Sequence, residues 1–210
     1  LGANTTASNN VAVGYAALDA NTTGTQNIAV GFSALTANTT ANSNIAIGTN
    51  ALAANTTGAN NTAVGENVMA ANTEGVNNVA LGYIALDADT KGNQSTALGY
   101  AALSAQNFTS STASQNTAVG YSAGAAVTTG IQNTLIGAHA GDVLTDADNN
   151  VAVGYQALGA DTLGSKSTAI GRFALYTQNF TSATNSNNVA VGYYAGKAVT
   201  TGVNNTLLGT

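Results

Sequence analysis

Glycine recurs along this chain at intervals too regular for a conventional globular core. Anchor glycines stand at Gly14, Gly31, Gly48, Gly65, Gly82, Gly99, Gly120, Gly137, Gly154, Gly171, Gly192 and Gly209. Of the eleven spacings nine are 17 residues and two are 21. The long spacings follow Gly99 and Gly171, and both carry the segment Q-N-F-T-S (Gln106–Ser110 and Gln178–Ser182). A second period of 72 residues therefore overlies the first. A fixed period of this length is the signature of an array of stacked supersecondary units.

The unit reads N-V-A-V-G-Y-x-A-L-x-A-N-T-T-G, as in Asn10–Gly24. The residue before the anchor is Val, Ile or Leu in all twelve units, and the residue three before it is Val, Ile or Thr. Between them stands Ala in ten units, with Leu135 and Leu207 as the exceptions. β-branched residues at alternate positions predict a short strand with two large side chains on one face and Ala on the other. A second stretch, such as Ala17–Ala20, is read as a further short strand, and A-N-T-T-G as a turn. Helix is rejected despite the abundant Ala, because Gly at every unit and dense Asn and Thr disfavour it.

A 17-residue unit cannot bury its own apolar face, but stacked units can. The expected fold is all-β, a parallel β-solenoid (β-roll) of about twelve rungs of 17 or 21 residues, forming one repeat array over residues 1–210 with the long period visible at 96–167 and 168–210. Rungs ~4.8 Å apart would give a rod on the order of 55 Å long. Identical columns then become ladders. Asn10, Asn27, Asn44, Asn61, Asn78, Asn116, Asn133, Asn150, Asn188 and Asn205 form one, with Ser95 and Ser167 in the same column; stacked amides are expected to bond to one another. The Ala face of the strand has two possible covers, the opposite wall of a flattened roll or identical chains around an axis. We favour the axis.

Composition excludes several classes. Charged residues are 6% of the chain, with four Lys plus Arg against nine acids and a net charge of -5. No basic surface exists for nucleic acid. Without Cys there is neither a disulfide framework nor a thiolate metal site. No apolar run reaches the ~18 residues of a membrane span. The chain begins within the second half of a unit and stops one residue past an anchor, so a slice of a longer array is expected.

The repeated N-V-A-V-G and N-I-A-I-G motifs, each followed by x-x-A and a turn, resemble the head repeats of YadA-like trimeric autotransporter adhesins. Similar long repeats belong to phage tail fibres and secreted bacterial fibres. The resemblance covers essentially the whole chain. It implies a left-handed parallel β-roll wound in homotrimers, located outside the cell or on a virion, and acting in attachment. The unit here is longer than the adhesin rung, with the extra residues in the A-N-T-T-G arm.

Little in the sequence points to chemistry. The single His139 lies in a column that tolerates almost any residue and reads as an exposed bystander. Asp19, Asp87 and Asp142 share a column, but Asp19 and Asp87 are four rungs apart, on the order of 19 Å. Paired glycosidase carboxylates sit within roughly 5–9.5 Å of each other. Asp146 and Asp148 are read as a solvated turn, with a Ca²⁺ site as the sharper alternative. No cofactor is expected and no enzyme is indicated.

The position after the anchor is aromatic in seven units: Tyr15, Phe32, Tyr83, Tyr100, Tyr121, Tyr155 and Tyr193. These rings, and Phe108 and Phe180 in the two expansions, are candidate surface contacts. The column could equally pack on itself, and each Phe could tuck beneath its own loop. Sequons at the N-T-T turns carry little weight in so Asn- and Thr-rich a chain. The Thr column (Thr22, Thr39, Thr56 and onward) invites an ice-binding reading, against which turn hydrogen bonding explains it more simply. The functional expectation is a non-enzymatic shaft or adhesive segment of an extracellular trimeric fibre. Its partners would be further copies of itself and, for an adhesive segment, a cell-surface glycan or receptor. The alternative is a monomeric solenoid that recognises glycan or ice through the Tyr or Thr columns.

Overall fold

The computed structural model describes residues 2–209. Leu1 and Thr210, which the repeat assigns to the second half of a unit and to the position after the last anchor, lie outside the described residues. The chain is an all-β parallel solenoid of about twelve turns, with no helix among the described residues. It divides into two compact units. The first comprises the residues up to Leu98 together with Asn107–Ala113, and the second Gly99–Gln106 together with the residues from Ser114 onward.

In the first unit, strands β1 (Val11–Val13), β2 (Ile28–Val30), β3 (Ile45–Ile47), β4 (Thr62–Val64), β5 (Val79–Leu81) and β7 (Thr96–Leu98) pair in parallel, each with the next. A two-residue pair, β6 (Gly92–Asn93) with β8 (Thr112–Ala113), lies beside the first expansion. In the second unit the series is β9 (Thr117–Val119), β10 (Thr134–Ile136), β11 (Val151–Val153), β13 (Thr168–Ile170), β15 (Val189–Val191) and β16 (Thr206–Leu208). There β12 (Gly164–Ser165) pairs with β14 (Thr184–Asn185). The pairing Thr168↔Val189 keeps its register across the longer coil, so the four extra residues are absorbed outside the main strand.

The strand face with Ala is the inside of each roll. Ala29, Ala46, Ala63, Ala80, Ala118, Ala152 and Ala169 are completely buried within the single chain. This corrects the expectation that the Ala column meets sister chains at an axis: the opposite wall of the coil covers it. The Val and Ile side chains turn outward instead. The stretch at Ala17–Ala20 is a turn and makes no second strand. Its φ angles show why: Ala16 and Leu18 sit at +55° and +52°, outside the β region.

That turn aims the fourth residue after each anchor into the core. Leu18, Leu35, Leu52, Met69, Leu86, Leu103, Leu158 and Leu175 are buried there. A left-handed conformation costs a non-glycine residue roughly 1–2 kcal/mol. Burying a Leu side chain returns roughly 1.5–3 kcal/mol, so packing prevails over backbone preference. Three units solve the problem differently, with Gly124, Gly141 and Gly196 in this place. The missing volume is filled from neighbouring columns. A Cβ on Gly124 would lie 2.6 Å from a Leu135 methyl, and one on Gly196 would lie 2.7 Å from a Leu207 methyl. The two exceptions in the strand Ala column thus conserve core volume.

Two polar columns complete the interior. In the Asn column from Asn10 to Asn205 a side-chain oxygen accepts the backbone N–H of the residue one coil on, as Asn10 from Asn27 at 2.8 Å and Asn150 from Ser167 at 2.8 Å. From Asn10 to Asn188 the amide NH2 donates across the coil, as Asn27 to the Ala41 carbonyl at 2.8 Å. Amide-to-amide bonds within this column occur at Asn133 (3.3 Å) and Asn205 (3.0 Å); elsewhere it chiefly bridges backbone to backbone. The expected amide stack exists in another column, within the segment read as a turn. Asn38 donates to Asn21 at 2.9 Å, Asn55 to Asn38 at 3.1 Å and Asn72 to Asn55 at 2.8 Å. These four residues are buried, so the sequons at Asn21, Asn38 and Asn55 present no accessible amide.

Candidate functional site

The expansions bury what the sequence offered as contacts. Phe108 and Phe180 are each only 6% exposed, which removes both as surface contacts. The cause is an acidic anchor in the second Asn column. Asp89 and Asp161 replace Asn there, and both are buried. Asp161 Oδ1 accepts the N–H of Gly164 at 3.0 Å and of Phe180 at 3.1 Å. Asp89 Oδ1 accepts Gly92 at 3.0 Å and Phe108 at 3.1 Å in the same way. In the second unit, Gln178 then fills the space that Ser167 leaves in the Asn ladder. It donates to Asp161 Oδ2 at 2.5 Å and to Ser167 Oγ at 2.8 Å, and accepts Asn188 at 2.8 Å.

The Thr column is structural. The hydroxyl of Thr22 donates to the Thr39 carbonyl at 3.0 Å, Thr56 to Thr73 at 3.1 Å, and Thr145 to Thr162 at 3.1 Å. A hydroxyl committed to the next coil's backbone has no donor left for ordered water or ligand. Asp148 is likewise engaged locally. Its Oδ1 accepts the Ile131 N–H at 2.8 Å, as Asn93 accepts Val76 at 2.8 Å. Asp146 accepts the Thr129 hydroxyl. Among the described residues no group of three His, Cys, Asp or Glu could hold a metal ion, and no helix is long and apolar enough to cross a membrane.

The aromatic column, by contrast, is open to solvent. Tyr15, Phe32, Tyr83, Tyr100, Tyr121, Tyr155 and Tyr193 are all exposed. The strand that precedes each ring ends at the anchor Gly, whose positive φ turns the chain so that the ring lies outside the coil. The rings also meet one another. Tyr15 stacks on Phe32 with centroids 5.3 Å apart in the first unit, and Tyr100 stacks on Tyr121 at 4.9 Å in the second.

In the second unit the contacts continue as a ridge. His139 meets Tyr121 and Tyr155 edge-on at 5.3 and 6.2 Å. Tyr155 meets Phe173 at 5.4 Å, and Phe173 stacks on Tyr194 at 5.1 Å. Arg172 lies 4.3 Å above the Phe173 ring and donates to the Tyr193 hydroxyl at 3.1 Å. Lys197 lies 4.2 Å above Tyr194. Sequence reasoning found the first aromatic column. It missed the second, because Phe173 and Tyr194 stand in the variable column that holds His139.

His139 is not a free bystander. Its Nδ1 is 2.9 Å from Asp142 Oδ2. Burial pushes the Asp142 carboxyl above the ordinary aspartate value of 3.8, and the bond and charge of His139 pull it down by less. The other carboxyl oxygen is buried without a partner. Because the folded chain holds the Asp142 proton more tightly than the unfolded chain, this group subtracts stability as pH rises above about 4. Asp142→Asn is therefore expected to raise the melting temperature at pH 7, with a gain that fades towards pH 4. A thermal melt series over pH 3.5–8 reads this, and a constant or reversed difference would contradict it.

No protein-family model, no curated protein and no solved structure matches this chain.

Proposed function

We propose that this chain is a non-enzymatic structural segment, a shaft or adhesive stretch of an extracellular fibre, and that it assembles as a homotrimer. The carrying observation is the outward strand face. Val11, Val13, Ile47, Val79 and Leu81 are 40–58% exposed in the first unit. Ile136, Ile170, Val191 and Leu208 are exposed in the second. These residues repeat in register on parallel strands and include no charge. A contiguous exposed apolar stripe marks an interaction surface, and charge is what blunts self-association of open β surfaces. A second copy of this chain offers the same stripe with the same coil spacing, so its ridges match coil for coil. The number three and the extracellular setting rest on the resemblance of the N-V-A-V-G repeats to adhesin heads and tail fibres.

Interior packing supports a mechanical role. Ladders of backbone, Asn and Thr hydrogen bonds run from coil to coil, so load is shared by many equivalent bonds. Light scattering on a sizing column tests assembly. The expected mass is three times the 20.6 kDa of the chain. Ile47→Asp with Leu81→Asp should give monomers that keep the β signature in circular dichroism. A wild-type monomer would overturn the trimer and favour the solitary ligand-binding solenoid. A doubly substituted chain that remains trimeric would overturn the face assignment.

A further inference from the structure

We propose that the ridge around Arg172 is a binding site for an acidic polysaccharide, its sugar carboxylates engaging Arg172 and Lys197 and its pyranose faces lying on the adjoining rings. This deepens the adhesive side of the proposed function and uses a surface other than the apolar strand face. Four observations converge.

First, both cations sit on one stacked pair of rings. Phe173 and Tyr194 form a parallel stack, centroids 5.1 Å apart and planes within 7°. Arg172 covers one of these rings and Lys197 the other. Second, neither cation has a carboxylate partner among the described residues, although the chain carries nine acids to four cations. Lys91, by comparison, pairs with Glu74 at 2.9 Å. The acid that reaches the ridge, Asp142, is bound to His139. Third, the guanidinium is held in place. It lies within 5.7 Å of the Tyr155, Phe173 and Tyr193 ring centres, and one nitrogen donates to the Tyr193 hydroxyl. A planar fork fixed in this way keeps further donors for a carboxylate and loses little freedom on binding. Fourth, the rings are exposed, Tyr155 at 42% and Tyr193 at 47%.

The chemistry selects the ligand class. Aromatic faces take the apolar C–H faces of sugars while their polar tips stay wet. Two unpaired cations in a chain of net charge -5 select an anionic partner locally. A polymer is favoured over a single sugar because rings recur from coil to coil and can engage successive residues.

Full-length chain immobilised at low salt would be titrated with polygalacturonate, polysialic acid, neutral dextran and oligo-dT. Binding of polygalacturonate or polysialic acid, with none of dextran, is expected; the stronger of the two identifies uronate or sialate as the source. Arg172→Gln and Lys197→Gln should each weaken binding by about tenfold with unchanged melting temperature and light-scattering mass. Lys91→Gln removes the same charge elsewhere and should leave binding intact. The inference is overturned if neither acidic polysaccharide binds, if dextran or oligo-dT binds equally well, or if Arg172→Gln and Lys91→Gln behave alike. Mass and binding are read separately: a monomer that binds would overturn the fibre reading alone, and a trimer that does not bind would overturn this one alone.

Discussion

Gly48→Ala is expected to destabilise the coils around it by about 3–5 kcal/mol, out of proportion to one methyl group. Two causes act at once. Gly48 has φ +131°, where an L side chain is strained. A Cβ there would also overlap the Gly65 carbonyl oxygen and lie 2.6 Å from its carbonyl carbon. Those are backbone atoms of the next coil, fixed by their own ladder, and cannot rotate away. The anchors repeat this contact along each unit, Gly31 against Gly48 and Gly48 against Gly65. In an array held by nearest-neighbour interfaces, damage stays near its source. Hydrogen exchange should therefore rise chiefly between Gly31 and Gly65 and leave β10 to β16 protected. Uniform loss of protection, or a denaturation midpoint equal to wild type, would contradict this account of the anchor.

The spacing of these glycines made the parallel solenoid legible before any coordinate, because no other arrangement buries so short a unit. Strand position and register were legible for the same reason. The facing of the strand was not. Alternation separates Val and Ile from Ala but does not say which set lies inside, and hydrophobicity alone points to the larger side chains. Leu18 and its equivalents decide the matter: delivered by left-handed turns, they fill the interior so fully that only Ala fits opposite. Such φ values for Leu leave no compositional mark, so the turn at Ala17–Ala20 read as a strand. The aromatic column was legible as a column. Its extension through Phe173, Tyr194 and Arg172 was not, since a variable column shows no ladder until neighbouring coils are stacked. Asp89 and Asp161 were hidden differently, as two acids among scattered ones, although they stand 72 residues apart and precede the two expansions.

Asp161→Asn, the smallest change available at that site, is expected to cost about 3 kcal/mol. The carboxylate is buried and accepts from three donors: two backbone N–H groups at Oδ1 and the Gln178 amide at Oδ2. An Asn that keeps its oxygen towards the backbone turns its NH2 against the NH2 of Gln178. Rotating the Gln178 amide does not relieve this, because its oxygen already accepts Asn188 and its nitrogen donates to Ser167. Asn4, Asn21, Asn38, Asn55 and Asn72 stand in this column because its surroundings there include an acceptor, as the Gly58 carbonyl takes the Asn55 amide at 2.9 Å. The expanded coil turns the Phe180 N–H inward instead, so the same position requires an all-acceptor side chain. Exchanging both partners, Asp161→Asn with Gln178→Glu, moves the charge one coil along the same column and restores a donor opposite an acceptor. The double variant should recover most of the loss in urea unfolding. Recovery absent from the cycle, or a single variant as stable as wild type, would show that packing of Phe180 rather than the buried carboxylate holds the expanded coil.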